Sequence, residues 1–436
     1  MDRLFIPLVM LVVAGGSGIA RAAEWPVKSA EEIAKAAATA TPGDVLVMAD
    51  GPWNDQRIVF RASGTAEKPI TLRARTPGKV VLAGESSLVI EGQYGVVSGL
   101  YFKDGKGATD GIRVNGSHCR LTETAVVDGT YKFFVHLAGE QNRLDHCYVA
   151  GKTSESPTLQ IEAERPNHHQ VDHNHFGPRP PLGKNGGETI RVGYSQQSMN
   201  SSATVVEDNL FDRCDGEIEI ISSKSCDNVY RRNTFLDCAG MMTLRHGNRC
   251  VVAENIFIAH HKKGSGGIRV IGEGHQVVNN YIDGVDKGGV WITSGIPDSP
   301  LNGYFRAKDC RIESNTIVDS KGPCIELDAG FGTSKRSLRP ENIRVADNVL
   351  VVGEGGSLLK GTEGEGFKWE GNVAWSPQGA EALKEHDGIR VADPKLARAA
   401  DGLLRPGKDS PIRLPEAAKS MAPLTAKEVG PGWLSR

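Results

Sequence analysis

The sequence predicts an all-β chain wound as a parallel β-helix, and three observations lead there. A pattern of the form apolar-x-x-Asn-x-apolar recurs about every 24 residues between positions 97 and 373, the mark of stacked repeats. Inside each unit apolar residues alternate over a few positions, as in Glu217-Ile218-Glu219-Ile220, which is the period of a strand and not of a helix. Finally, the chain holds 52 Gly and only 6% aromatic residues, a poor composition for a helical bundle. Apolar runs along most of its 436 residues exclude disorder.

The elements follow in chain order. Arg3, the apolar run Leu4 to Ala14 and the closing Ala20-Arg21-Ala22 read as a signal peptide over residues 1–22. The run is too short for a bilayer, which needs about 20 apolar residues. The mature chain is therefore expected to be secreted or periplasmic, with no membrane association after signal removal. Ser29-Ala30-Glu31-Glu32 is a capping box, and Ile33 to Ala38 continue it as an Ala-rich helix that closes the N-terminal end of the rod (cap about 26–50).

The repeat then runs through Val171 to Phe176 and Val206 to Phe211, with later copies at Asn233, Asn255, Asn280, Asn315, Asn348 and Asn372. Leu100, Thr124 and Cys147 hold the Asn position in earlier units. Asn tolerates the left-handed backbone of a sharp corner, and stacked amides hydrogen-bond from coil to coil. Longer spacings, such as Asn280 to Asn315 and Asn315 to Asn348, mark loop insertions. Eleven units give a rod of roughly 50 Å at about 4.8 Å per strand. After Trp375 the repeat decays, so residues 23–375 form one domain and 376–436 a strap along it, with a short helix at Pro377 to Glu385.

Eight cysteines would be free to pair in an oxidising compartment, or would stack as small apolar residues inside the coils; none forms a C-x-x-C zinc signature. A net charge of −2 gives no bulk attraction to nucleic acid.

One stretch breaks the repeat. In Cys214 to Ser225, Glu217 and Glu219 stand at i, i+2 on one strand face while Ile218 and Ile220 fill the core. Two adjacent carboxylates are either a solvated face or a pair that needs a cation, and Ca²⁺ suits such hard oxygens. Counted back from their Asn positions, Lys224, Arg245 and Arg269 fall at −9, −10 and −11. That stacks basic residues at one corner of successive coils and favours an anionic ligand. Ile-Arg-Val also recurs at Arg113, Arg191 and Arg390; Arg113 and Arg390 read as ordinary outward strand residues.

This stretch, with Asn228-Val229-Tyr230, Asn233-Thr234-Phe235, Leu244-Arg245-His246-Gly247-Asn248 and Val429-Gly430-Pro431-Gly432-Trp433, resembles polysaccharide lyase family 6. That family holds alginate lyases and dermatan-sulfate lyases of the chondroitinase B type on a right-handed parallel β-helix. The resemblance implies Lys224 as catalytic base, Arg245 as acid or leaving-group stabiliser, and Ca²⁺ on Glu217, Glu219 and Asn185, with Glu188 as a substitute for Asn185. Arg191, His246 and Arg269 would hold substrate; His246 alone reads equally well as a structural histidine.

The chemistry is consistent. Removing the proton α to a charged carboxylate is hard unless a cation stabilises the developing enolate. The base must be a neutral amine, and neighbouring cations would favour that form.

The expected activity is Ca²⁺-assisted β-elimination of alginate. Dermatan-sulfate cleavage would use the same machinery with more basic residues. A non-catalytic glycan-binding β-helix would instead show a face of aromatics. A glycosidase would need two opposed carboxylates.

Overall fold

The computed structural model describes residues 22–379, 383 and 386–434. Residues 1–21 of the signal peptide expected over 1–22, and most of the helix expected over 377–385, lie outside the described residues. Among the described residues no helix is long and apolar enough to cross a membrane.

The chain is a right-handed parallel β-helix built on two sheets of 14 strands and one of 12. Each coil contributes one short strand to each sheet. Val205–Glu207, Leu210–Asp212 and Glu219–Lys224 make one such coil, and the next begins at Val229–Arg231. At about 4.8 Å per strand the longer sheets span roughly 60 Å, because coils before residue 97 join the stack without carrying the repeat pattern.

The Asn column forms a ladder. The Asn209 amide donates to Asn233 Oδ1 at 3.0 Å, Asn233 to Asn255 at 3.0 Å and Asn255 to Asn280 at 3.0 Å. Each Oδ1 also accepts the backbone N–H of the Asn one coil back. The left-handed residue, however, is the one before each Asn: Asp208, Arg232, Glu254 and Asn279 have φ between 53° and 58°. The corner and the buried amide are thus two adjacent positions with two jobs. Inside the coil, Phe176, Phe211, Phe235 and Phe257 stack at 4.4 to 5.0 Å. All eight cysteines are buried free thiols, so they stack inside the coils.

The helix Ala30–Thr39 starts at Ser29, whose hydroxyl accepts from the Glu32 N–H at 3.2 Å. Its buried face, Ile33, Ala36 and Ala37, covers the first strands. Past Trp375 the sheet continues for one more strand, Ile389–Val391. The strap then returns along the rod. Leu403 is buried against Ile256, Tyr281 and Val318. Leu424 N–H reaches Thr234 Oγ1 (2.9 Å), Gly430 N–H reaches His173 O (2.8 Å), and the Trp433 indole reaches Glu123 O (2.7 Å).

Candidate functional site

The site lies on the outer face of the 12-stranded sheet, where strands Ile190–Val192, Glu219–Lys224, Met241–His246 and Ile268–Val270 run side by side. Alternation turns Arg191, Ser222, Thr243 and Arg269 outward in one row across these strands. Lys224 is not in that row. A register shift after Ser223 pairs it with His246 and leaves Arg245 as the bulged residue between Leu244 and His246. The three basic residues expected at one corner therefore share a face but not a column.

Glu217 and Glu219 differ from the expected pair. The chain is bent at 217–218 and the strand begins at Glu219, so Ile218 is 38% exposed and only Ile220 is in the core. A second shift between Glu219 and Ile221 re-aims the carboxylates. Glu219 Oε1 lies 3.7 Å from Arg245 Nε and 3.8 Å from Arg269 Nη1, while Ser222 Oγ donates to its other oxygen. Glu217 Oε2 accepts the Gly186 N–H at 3.0 Å.

A third carboxylate joins them. Glu188 is buried, with Oε1 3.7 Å from Arg191 Nη1 and 3.8 Å from Lys224 Nζ. Lys224 thus has a carboxylate as its ion-pair partner, where the sequence suggested cations. Burial, then the charges of Glu188 and Glu219, push the Glu217 carboxyl up to about 7. Glu217 Oε1 and Glu188 Oε2 are buried with no hydrogen-bond donor. Asn185 stands exposed at the tip of the same loop.

Among the described residues no three His, Cys, Asp or Glu side chains converge at metal-ligand spacing. Glu188 and Glu219 are each drawn toward a pair of cations. Two donor-less carboxylate oxygens on neighbouring loops are nevertheless hard donors of the kind Ca²⁺ takes, so Glu188 and Glu217 fit part of such an ion's shell.

His246 is buried between the two strand ends, with Nε2 3.4 Å from Ser195 Oγ and Nδ1 3.5 Å from Arg245 Nη1. Burial, then Arg245 and Lys224, push it down to about 3, so it is neutral in ordinary buffers. Arg191 Nε donates to Gln160 Oε1 at 2.7 Å. Arg269 Nε is buried without an acceptor.

Two participants escaped the sequence reading. Tyr304 lies over Arg245, its ring centroid 4.2 Å from that guanidinium and 4.5 Å from that of Arg336, with Arg269 at 5.6 Å. The neighbouring Gly303 carbonyl accepts from Arg245 Nη1 at 2.8 Å. Gly303 and Tyr304 sit in the long unit between Asn280 and Asn315 and Arg336 in the one that ends at Asn348, so the irregular spacings were the available signal.

Comparison with known proteins gives the family and the fold. A family model described as chondroitinase B matches residues 27–411. The solved structure of a PL6 family alginate lyase, AlyGC, is 35% identical with a TM-score of 0.85, covering 94% of this chain and 59% of that one. This chain is therefore about three fifths the length of that relative. A mannuronic acid specific family 6 lyase from human gut microbiota is 32% identical (TM-score 0.76; 85% of this chain, 91% of that one). A PL6 family polysaccharide lyase from Pseudopedobacter saltans is 30% identical (TM-score 0.78; 94% and 100%). No curated protein matches the chain.

Proposed function

The chain belongs to polysaccharide lyase family 6, and from that membership we propose that it is an exported lyase cleaving alginate by β-elimination with the help of Ca²⁺. The observation that supports the reading is the pairing of Lys224 with His246 beside Arg245, with three carboxylates gathered at the same face of the 12-stranded sheet. Export is supported by the Arg3 to Ala22 pattern.

Lys224, as the free amine, takes the proton from the carbon α to the uronate carboxylate. The C–H electron pair becomes the 4,5 double bond as the bond to the 4-linked oxygen breaks. Arg245, fixed by the Gly303 carbonyl and Tyr304, faces the charge that develops on the leaving oxygen. A guanidinium stays protonated, so it stabilises that oxygen while water delivers the proton. Glu217 and Glu219 would hold the Ca²⁺, joined from the 185–188 loop by Glu188, whose second oxygen is buried without a donor, or by the exposed Asn185. Bound there, Ca²⁺ would supply Lewis-acid stabilisation of the substrate carboxylate. Arg191 and Arg269, at opposite ends of one four-strand row and so about 14 Å apart, would hold uronates on either side of the cleaved linkage, and His246 would add a neutral hydrogen-bonding group.

Dermatan sulfate is the competing substrate, since the family model that matches is described as chondroitinase B. A panel of poly-mannuronate, poly-guluronate, mixed alginate and dermatan sulfate, read by absorbance of the unsaturated product, decides between them. Absorbance rising only on dermatan sulfate would reject the alginate reading, and none on any substrate would reject lyase activity.

A further inference from the structure

Arg179 is only 3% exposed and makes no ion pair with any described Asp or Glu. Its guanidinium instead collects oxygens from two loops. It donates to Thr158 Oγ1 (3.1 Å) and to the carbonyls of Ser154 (3.2 Å), Ser156 (2.9 Å) and Gly186 (3.3 Å), and most closely to that of Glu188. Its backbone ties in a third segment, because the Asp215 N–H donates to Arg179 O at 2.9 Å. The second and third segments carry Glu188 and Glu217. They press together at Gly187 and Gly216: a Cβ on Gly216 would meet Gly187 O at 2.0 Å and Arg179 Nε at 2.9 Å.

A buried guanidinium facing carbonyls is costly unless charge lies nearby. Here Glu188 and Glu217 supply it, and although burial pushes Arg179 down to about 10, it remains a cation. The arrangement does two things at once. It places a fixed positive charge behind the carboxylates, and it fixes the backbone of Gly186 to Glu188, whose first N–H holds Glu217 Oε2.

Resting on the reading of Glu188, Glu217 and Glu219 as the Ca²⁺ site, we infer that Arg179 is a positioning residue that sets Ca²⁺ affinity by holding the Glu188 and Glu217 loops in register. It touches neither the ion nor the substrate. Its planar fork carries the effect, and a point charge would not replace it.

The test uses the mature chain stripped by chelator and titrated with Ca²⁺ by calorimetry, with thermal unfolding followed in chelator and in Ca²⁺. Arg179→Lys keeps the charge and loses the fork. It should weaken Ca²⁺ binding ~10-fold or more, the usual effect of losing an outer-sphere partner. At saturating Ca²⁺ its kcat and KM should return close to wild type. Thr158→Val, which removes one acceptor and leaves the rest, should weaken binding in the same direction by less.

An Arg179→Lys protein with wild-type Ca²⁺ affinity overturns the inference, whether its unfolding temperature falls or not. Should that variant fail to fold, unchanged affinity in Thr158→Val overturns it. Wild-type protein that binds no Ca²⁺ removes the cation reading itself and this inference with it.

Discussion

Lys224 and His246 face each other across adjacent strands, and the imidazole beside the lysine is held neutral. An imidazole ordinarily titrates near 6.5; this one is pushed to about 3, chiefly by burial. His246 is therefore expected to stay neutral, with no titration of its own, between about pH 5 and 9. His246→Gln should lower activity through lost contacts while both limbs of the pH–rate profile stay in place. Disappearance of a limb would show that the histidine titrates during turnover.

The proposed role of base then rests on Lys224. Lys224→Ala should reduce kcat by ~10²-fold or more, the range for a lost general base, with the circular dichroism spectrum unchanged. Lys224→Arg should fail equally, because a guanidinium does not become neutral. Turnover above about a tenth of wild type, well short of that range, in either variant would move the base elsewhere.

Cation dependence separates two candidates in one loop. Glu188 is buried with a donor-less oxygen, whereas Asn185 is exposed. Excess chelator should abolish activity and added Ca²⁺ should restore it. The Ca²⁺ concentration for half-activity should rise more for Glu188→Gln than for Asn185→Ala. The reverse order would make Asn185 the principal ligand of that loop.

Acid should destabilise the fold through buried histidines. Burial holds both His169 and His275 at about 4, below the ordinary 6.5. Their neutral forms are favoured in the folded chain, and the unfolded chain takes up the protons. The stabilisation is complete above about pH 6.5 and is lost as pH falls toward 4. Calorimetric unfolding should show that fall, and His275→Gln should flatten it. An unchanged slope would assign the acid sensitivity to other groups.

The ladder amide Asn255 accepts from Asn233 and donates to Asn280 and to the Tyr230 carbonyl. Asn255→Ala leaves buried groups without partners, at about 1–3 kcal/mol each. Urea unfolding should show a loss of roughly 2–4 kcal/mol. A loss under ~1 kcal/mol would mean that water or a shifted corner takes over the bonds.

The fold was legible because strand period and Asn spacing are local signals repeated many times. The site was legible where chemistry is written in one segment, as at Glu217, Glu219, Lys224 and Arg245. What escaped depends on contacts between distant segments. Nothing local marks Glu188 as the partner of Lys224, or places Tyr304 over Arg245, since loop insertions have no period to follow. Ile218 was misplaced for a related reason: alternation assumes an unbroken strand, and the bend at 217–218 breaks it. The Asn corner was read one residue late because the amide and the left-handed backbone occupy neighbouring positions.

The returning strap changes what the stack can do as a folding unit. Stacked repeats ordinarily nucleate anywhere and fray from their ends, since each coil touches only its neighbours. Here Trp433 packs on Gly78, where any side chain would collide with the indole, and bonds to Glu123 across 310 positions of sequence. The early coils are synthesised and wound long before the residues that seal them exist. Closing so long a loop is slow, so the docking of segment 424–433 is expected late in folding. Undocking that segment is correspondingly the first event by which the rod can come apart.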